Sequence, residues 1–185
     1  MRRFLILLPL APLVLGLAGA ATMPDGRPTP SELPVPRWLG LKSDEVRARA
    51  GPGLDHRILW EYRVARLTVQ VVAETREWRK ICDPDGAVAW VHHSVVSSRR
   101  SAFNPAFRPV ELRARPRAEA RVVARLSARS LIALNDCEDG WCRVAAGRLK
   151  GWVQDTAVWG TAGPALCDAL APAGMPRAAR GQAGR

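Results

Sequence analysis

The chain reads as a mainly β protein built from two small barrel-like modules in tandem. Three observations predict this: short apolar runs broken by turn signals, no sustained helical period with start and stop signals, and a pattern that occurs twice in one order. Leu67-Thr68-Val69-Gln70-Val71-Val72 and Trp78-Arg79-Lys80-Ile81 have strand character, and Asp83-Pro84-Asp85-Gly86 reads as the tight turn that follows. The repeat pairs Val46-Arg47-Ala48-Arg49 with Leu112-Arg113-Ala114-Arg115, Trp78-Arg79-Lys80-Ile81 with Trp141-Cys142-Arg143-Val144, and Trp90-Val91 with Trp152-Val153, at offsets of 66, 63 and 62 residues. Each copy has about the length at which a small barrel just closes a core, so extra staples are expected.

The segments before and after the repeat divide the rest of the chain. Met1-Arg2-Arg3, the apolar run Phe4 to Ala20 and the small residues Ala18-Gly19-Ala20 have the three parts of a signal peptide, with cleavage expected before Ala21. The expected organisation is a signal peptide over 1–20, an extended Pro-rich linker over 21–37, a first module over 38–97, a linker over 98–108, a second module over 109–160 and a flexible basic tail over 161–185. After cleavage no remaining stretch is apolar enough for a membrane span, and the expected location is periplasmic or secreted.

Charge and cysteine content follow from the same reading. The formal net charge of +11 becomes +9 when Arg2 and Arg3 leave with the leader. Such a balance invites nucleic acid, but export and the dispersal of the Arg residues among acidic neighbours point instead to anionic envelope material. Four cysteines in an exported chain favour disulfides over thiols or metal ligands. Cys137 and Cys142 flank Glu138-Asp139-Gly140-Trp141, a turn between two strand-like runs, and are expected to pair across it. Cys82 and Cys167 are left either paired or free.

The repeated motifs resemble bacterial SH3-like domains, often called SH3b. In the first copy Val46 to Arg49 runs into Gly51-Pro52-Gly53, Trp78 opens a later strand and Ala89-Trp90-Val91 closes the unit; in the second, Leu112 to Arg115, Trp141 and Gly151-Trp152-Val153 play these parts. The resemblance implies two tandem SH3-like β-barrels and binding of peptidoglycan or a peptide. The second copy lacks Gly-Pro-Gly and has Pro116-Arg117-Ala118-Glu119, so its first loop is expected to be shorter and different in shape. A chain with one Tyr lacks the Tyr-rich strip by which eukaryotic SH3 domains hold proline-rich helices.

Candidate chemistry is sparse. Cys82 with His92 is the one nucleophile and base pair to consider, and cell-wall peptidases bearing SH3-like domains place such a pair in a separate catalytic domain, which has no counterpart here. Cys82, His92 and His93 lack zinc-ligand spacing, and no phosphate loop or dinucleotide fingerprint occurs, so neither a metal nor a cofactor is expected. The ligand site is expected on the first module: Arg49, Gly51, Gly53 and Arg57 of the loop, Trp60 and Tyr62 two apart on one strand face, and His92 and His93 at the rim. Aromatic faces beside Arg suit a sugar or a peptide bearing carboxylates. The expected function is non-catalytic binding in the envelope, with a periplasmic protein scaffold as the alternative and a Cys/His hydrolase as the weaker one.

Overall fold

The computed structural model describes residues 21–161 and 167–174; the expected signal peptide and the rest of the expected tail lie outside them. The first module contains β1 (Arg37–Leu41), β2 (Val46–Arg49), β3 (Ile58–Tyr62), β4 (Thr68–Glu74), β5 (Trp78–Cys82), β6 (Val88–His92) and β7 (Val96–Ser97). The second contains β8 (Ser101–Phe103), β9 (Val110–Arg113), β10 (Val122–Leu126), β11 (Leu131–Glu138), β12 (Trp141–Ala146) and β13 (Leu149–Gln154). They form a sheet of order β3-β2-β6-β5-β4-β1-β7 and one of order β10-β9-β13-β12-β11-β8. Apart from the edge strand β7, one order becomes the other when β1 to β6 are replaced by β8 to β13. Each sixth strand is followed by a 3-10 turn, at His93–Val95 and Asp155–Ala157.

Alternation along the strands decides which side chains enter the core. In β2, Val46 and Ala48 are buried while Arg47 is exposed and Arg49 half-buried. β3 lies antiparallel with Ala48 opposite Trp60 and Val46 opposite Tyr62, so both aromatics share the inward face. In β10 the equivalent positions are Ala124 and Leu126, opposite Leu112 and Val110. Two tight turns follow from sequence: Asp139-Gly140 has φ values of 49° and 78°, the doubly left-handed form suited to a two-residue hairpin, and Gly86 has φ 79°.

The structure corrects the register of the repeat at its first strand. Arg49 pairs with Trp90 and Arg113 pairs with Trp152, so the offset there is 64 and Leu112 corresponds to Ala48. The expected shorter second loop is therefore absent. Ala50 N donates to Arg57 O at 3.0 Å and Ala114 N to Arg121 O at 2.9 Å, closing loops of the same length. Inside them, Gly53 N to Gly51 O matches Arg117 N to Arg115 O, at 3.0 and 2.9 Å, and Pro52 matches Pro116. The glycines are not required by left-handed backbone, since neither has a positive φ. A Cβ on Gly51 would overlap the His56 ring. In the second loop Ala120 takes the place of His56, which leaves room for the Arg115 side chain.

The modules share a core. Trp159, just after the second 3-10 turn, is buried among Leu41, Val69 and Val96 of the first module's cluster, with Phe103 beside it. Its Nε1 donates to Thr68 O at 2.6 Å, while Thr68 Oγ1 donates to Ser101 O at 2.6 Å and accepts from Ser101 N at 2.8 Å. Asp85 and Arg129 add a two-pronged ion pair between modules, at 2.8 and 2.9 Å.

The segments expected to be linkers are packed. Residues 98–108 contain β8, and buried Asn104 Nδ2 donates to the carbonyls of Arg108, Leu126 and Ser127. In the Pro-rich stretch, Met23 and Thr29 are buried, and Ser31 donates through N and Oγ to Glu74 Oε1. Glu74, itself buried, also pairs with Arg37 and Arg79. Burial works to raise the Glu74 pKa, but the hydrogen bonds from Ser31 and Arg37 and the Arg37 charge outweigh it, and the net shift is downward.

Both disulfides are formed. Cys137 and Cys142 are direct cross-strand partners with Cα atoms 4.0 Å apart, and Cys82 is bonded to Cys167 with Cα atoms 5.8 Å apart. The second bond fastens residues 167–174 across the first module, where Lys80 Nζ donates to Ala169 O and Ala171 O and Gly174 bridges to Val88.

Candidate ligand-binding groove

The first module carries a groove of about 330 Å³ between the outer face of β2, the Ala50–Arg57 loop and the end of β6. It is lined by Glu45, Arg47, Arg49, Leu54, Trp78, His92 and Val95. Trp78 opens β5 directly opposite His92, and their rings meet edge-on with centroids 5.4 Å apart. The His92 ring is oriented by Ser94, whose Oγ lies 2.7 Å from Nδ1. Arg49 is held from behind: its Nη1 donates to Leu54 O at 2.9 Å and to His56 O at 2.8 Å. That arrangement fixes a cation in a shallow trough that Trp78 also lines.

The same trough is built again in the second module. Its volume is about 290 Å³ and its lining includes Pro109, Glu111, Arg113, Ala118, Trp141, Gln154 and Ala157. By the corrected register these stand where Glu45, Arg47, Arg49, Leu54, Trp78, His92 and Val95 stand in the first. Arg113 Nη1 donates to Ala120 O at 2.8 Å, as Arg49 does to His56 O. A feature generated twice by one backbone is a property of the fold, and the side chains that differ tune it.

The expected site residues divide. The structure brings Arg49 and His92 into the groove, and Gly51 and Gly53 shape its loop through the space that His56 and Asp55 fill. Arg57 and His93 are exposed but do not line it; His93 N donates to Glu77 O and its ring lies 4.5 Å from that of His92. Trp60 and Tyr62 are corrected: they turn inward with β3, meeting edge-on at 6.0 Å, and Tyr62 is buried with its hydroxyl donating to Asp83 Oδ2 at 3.0 Å. Burial, followed by the Asp83 charge, pushes the Tyr62 pKa well above 10.0. Burial likewise raises Asp83.

Trp78 was readable in the sequence only as architecture, because a Trp that recurs at matched positions serves packing as well as a groove wall. Leu54 and Glu111 gave no signal by themselves. Tyr62 instead borders a second cleft of about 390 Å³ between the modules, with Leu67, Phe103 and Leu131, spanned by the Asp85–Arg129 pair.

Cys82 offers no thiol to His92, since its sulfur is spent on Cys167. Among the described residues no group of three or more His, Cys, Asp or Glu is placed to hold a metal, and no helix is long and apolar enough to cross a membrane.

The structures of NlpC1 and NlpC2 from Trichomonas vaginalis are similar at 14% and 13% identity, with TM-scores of 0.31 for both. The alignments cover 68% and 67% of this chain but 46% and 48% of those proteins, so the chain spans less than half their length. No curated relative matches. A family model for the bacterial SH3 domain matches residues 42–98 and again 108–160, one match per module, and the chain belongs to the bacterial SH3 domain family as a tandem pair.

Proposed function

We propose that this chain is a non-catalytic exported envelope protein that binds peptidoglycan or a peptide through its SH3-like modules. The observation that carries the reading is the groove made twice, each time with a Trp at the start of the fifth strand of its module and an Arg anchored by loop carbonyls. A trough of this size admits one or two residues of an extended peptide, with the ring supplying apolar contact and the Arg a directional charge. Two disulfides fit an oxidising compartment, which supports a periplasmic or secreted location. The test is co-sedimentation of the mature chain with purified sacculi. Pelleting with the sacculi is expected, and a chain left in the supernatant at low salt overturns the reading.

The scaffold alternative draws on a separate observation, the shared core around Trp159, which makes both modules one rigid surface for a protein partner. Under that reading the chain stays in the supernatant and an envelope protein is recovered with it after crosslinking.

A further inference from the structure

Each groove is lined by one carboxylate and two arginines, Glu45 with Arg47 and Arg49 in the first and Glu111 with Arg108 and Arg113 in the second, but the carboxylate stands in a different place. In the second, Glu111 Oε2 accepts from Arg113 Nη2 at 2.7 Å, and Glu111 Oε1 lies 3.5 Å from Arg125. The equivalent of Glu111 in the first groove is Arg47, so Arg49 has no such neighbour. Its hydrogen bonds run to two backbone carbonyls, and no carboxylate among the described residues pairs with it. Among the described residues Arg47 pairs with Glu45, at 3.7 Å, with both side chains more than half exposed. The second module thus seats its groove carboxylate on the anchored Arg113, whereas in the first the Glu45 carboxylate lies toward Arg47 and not on Arg49.

We propose that the first groove holds its ligand by a carboxylate seated on Arg49, and that Glu111 fills the equivalent seat in the second groove, so that acidic peptides bind the first module alone. The proposal rests on the peptide-binding reading above and names the group by which the peptide is held. A guanidinium offers parallel donors that match a carboxylate in two-pronged geometry. The Leu54 and His56 carbonyls already fix Arg49, so little side-chain freedom is lost when the ligand arrives. Arg47 adds a second positive charge at the rim, while Trp78, Leu54 and Val95 contact the apolar part of the residue that carries the carboxylate. The geometry favours a terminal or side-chain carboxylate of a peptide over a neutral sugar face.

The probe is N-acetyl-alanyl-alanine, as the free acid and as its C-terminal amide, titrated into the isotopically labelled mature chain. The indole N–H signals of Trp78 and Trp141 and the ring signals of His92 report the two grooves. A saturable shift at Trp78 and His92 with the free acid is expected, weaker by about tenfold with the amide, the equivalent of one charge-assisted bond. Trp141 is expected to stay still. R47Q, whose side chain holds no loop carbonyl, weakens the response and R49Q abolishes it; E111Q brings a new acid-dependent response at Trp141. Equal responses to acid and amide, a Trp141 response matching that of Trp78 in the native chain, unchanged binding in R47Q and R49Q, or no saturable response to the acid overturns the proposal. The dipeptide titration does not depend on sacculi, so a chain that binds the acid yet fails to sediment loses the envelope reading and keeps the carboxylate seat, and the reverse result does the opposite.

Discussion

The indole of Trp159 meets that of Trp38 edge-on, with ring centroids 4.7 Å apart, and so joins a residue at the end of the second module to the first strand of the first. Trp159 stands where Ser97 stands in the first copy, since Phe103 bridges to Trp159 as Gly40 pairs with Ser97. A Ser in one copy and a buried Trp in the other is the asymmetry that docking requires. W159A is expected to destabilise the chain by roughly 3 to 5 kcal/mol, the range for removing a buried Trp, and to remove the indole hydrogen bond to Thr68 O. Urea unfolding checks this; a loss below about 1 kcal/mol would mean that the modules stand independently.

Tyr62 is the one Tyr in the chain, so phenolate absorbance reports it without interference. Its pKa in the folded protein is raised well above 10.0, chiefly by burial. The stability this linkage provides is complete below the unfolded pKa and is lost as pH rises toward the folded one. The alkaline titration is expected to appear late and to coincide with unfolding, whereas denatured chain titrates near the ordinary value. Y62F should flatten the alkaline loss of stability.

Glu74 has a fully buried side chain and pairs with Arg37 and Arg79 while accepting from Ser31. E74Q is expected to cost roughly 3 kcal/mol, because it leaves two largely buried guanidinium groups without their anion. The folded pKa is depressed, so the contribution is present above the unfolded carboxylate pKa and fades as pH falls through the folded value. Denaturation curves of native and E74Q chains should therefore converge on acidification. Protease cutting within residues 21–36 should rise in E74Q at neutral pH, since Ser31 then donates to a neutral amide oxygen in place of a carboxylate.

The two disulfides close loops of very different length, with separations of 85 and 5 residues. On chain entropy alone the long one contributes about 4.5 kcal/mol and the short one about 2. The C82A/C167A pair is expected to lower the melting temperature more than C137A/C142A. It should also release the 167–174 strap, read as faster amide exchange at Gly174 and Val88, whose mutual backbone bonds close it.

The tandem β architecture was legible because the Trp anchors recur with strand-like spacing, and Cys137 with Cys142 because a two-residue turn places them opposite each other. The register of β2 against β9 is hidden because Val-Arg-Ala-Arg and Leu-Arg-Ala-Arg match at three of four residues two positions away from the structural alignment. Aligning Pro52 with Pro116 would have corrected it. Trp60 and Tyr62 were correctly placed on one face, but period two does not say which face is inward; pairing with Val46 and Ala48 does. The groove joins residues from positions 45 to 95, and such long-range proximity leaves no local trace.

The completion of the first module by Trp159 and Cys167 also has a consequence in time. Chains leave a ribosome or a translocon N-terminus first, and domains generally fold as units in that order. Here the first module waits: until residues more than sixty positions beyond its last strand have emerged, it lacks an indole in its core, the partner of Cys82 and the strap that covers Lys80. A half-synthesised chain therefore lacks these contacts, and residues made later complete the module that was made first.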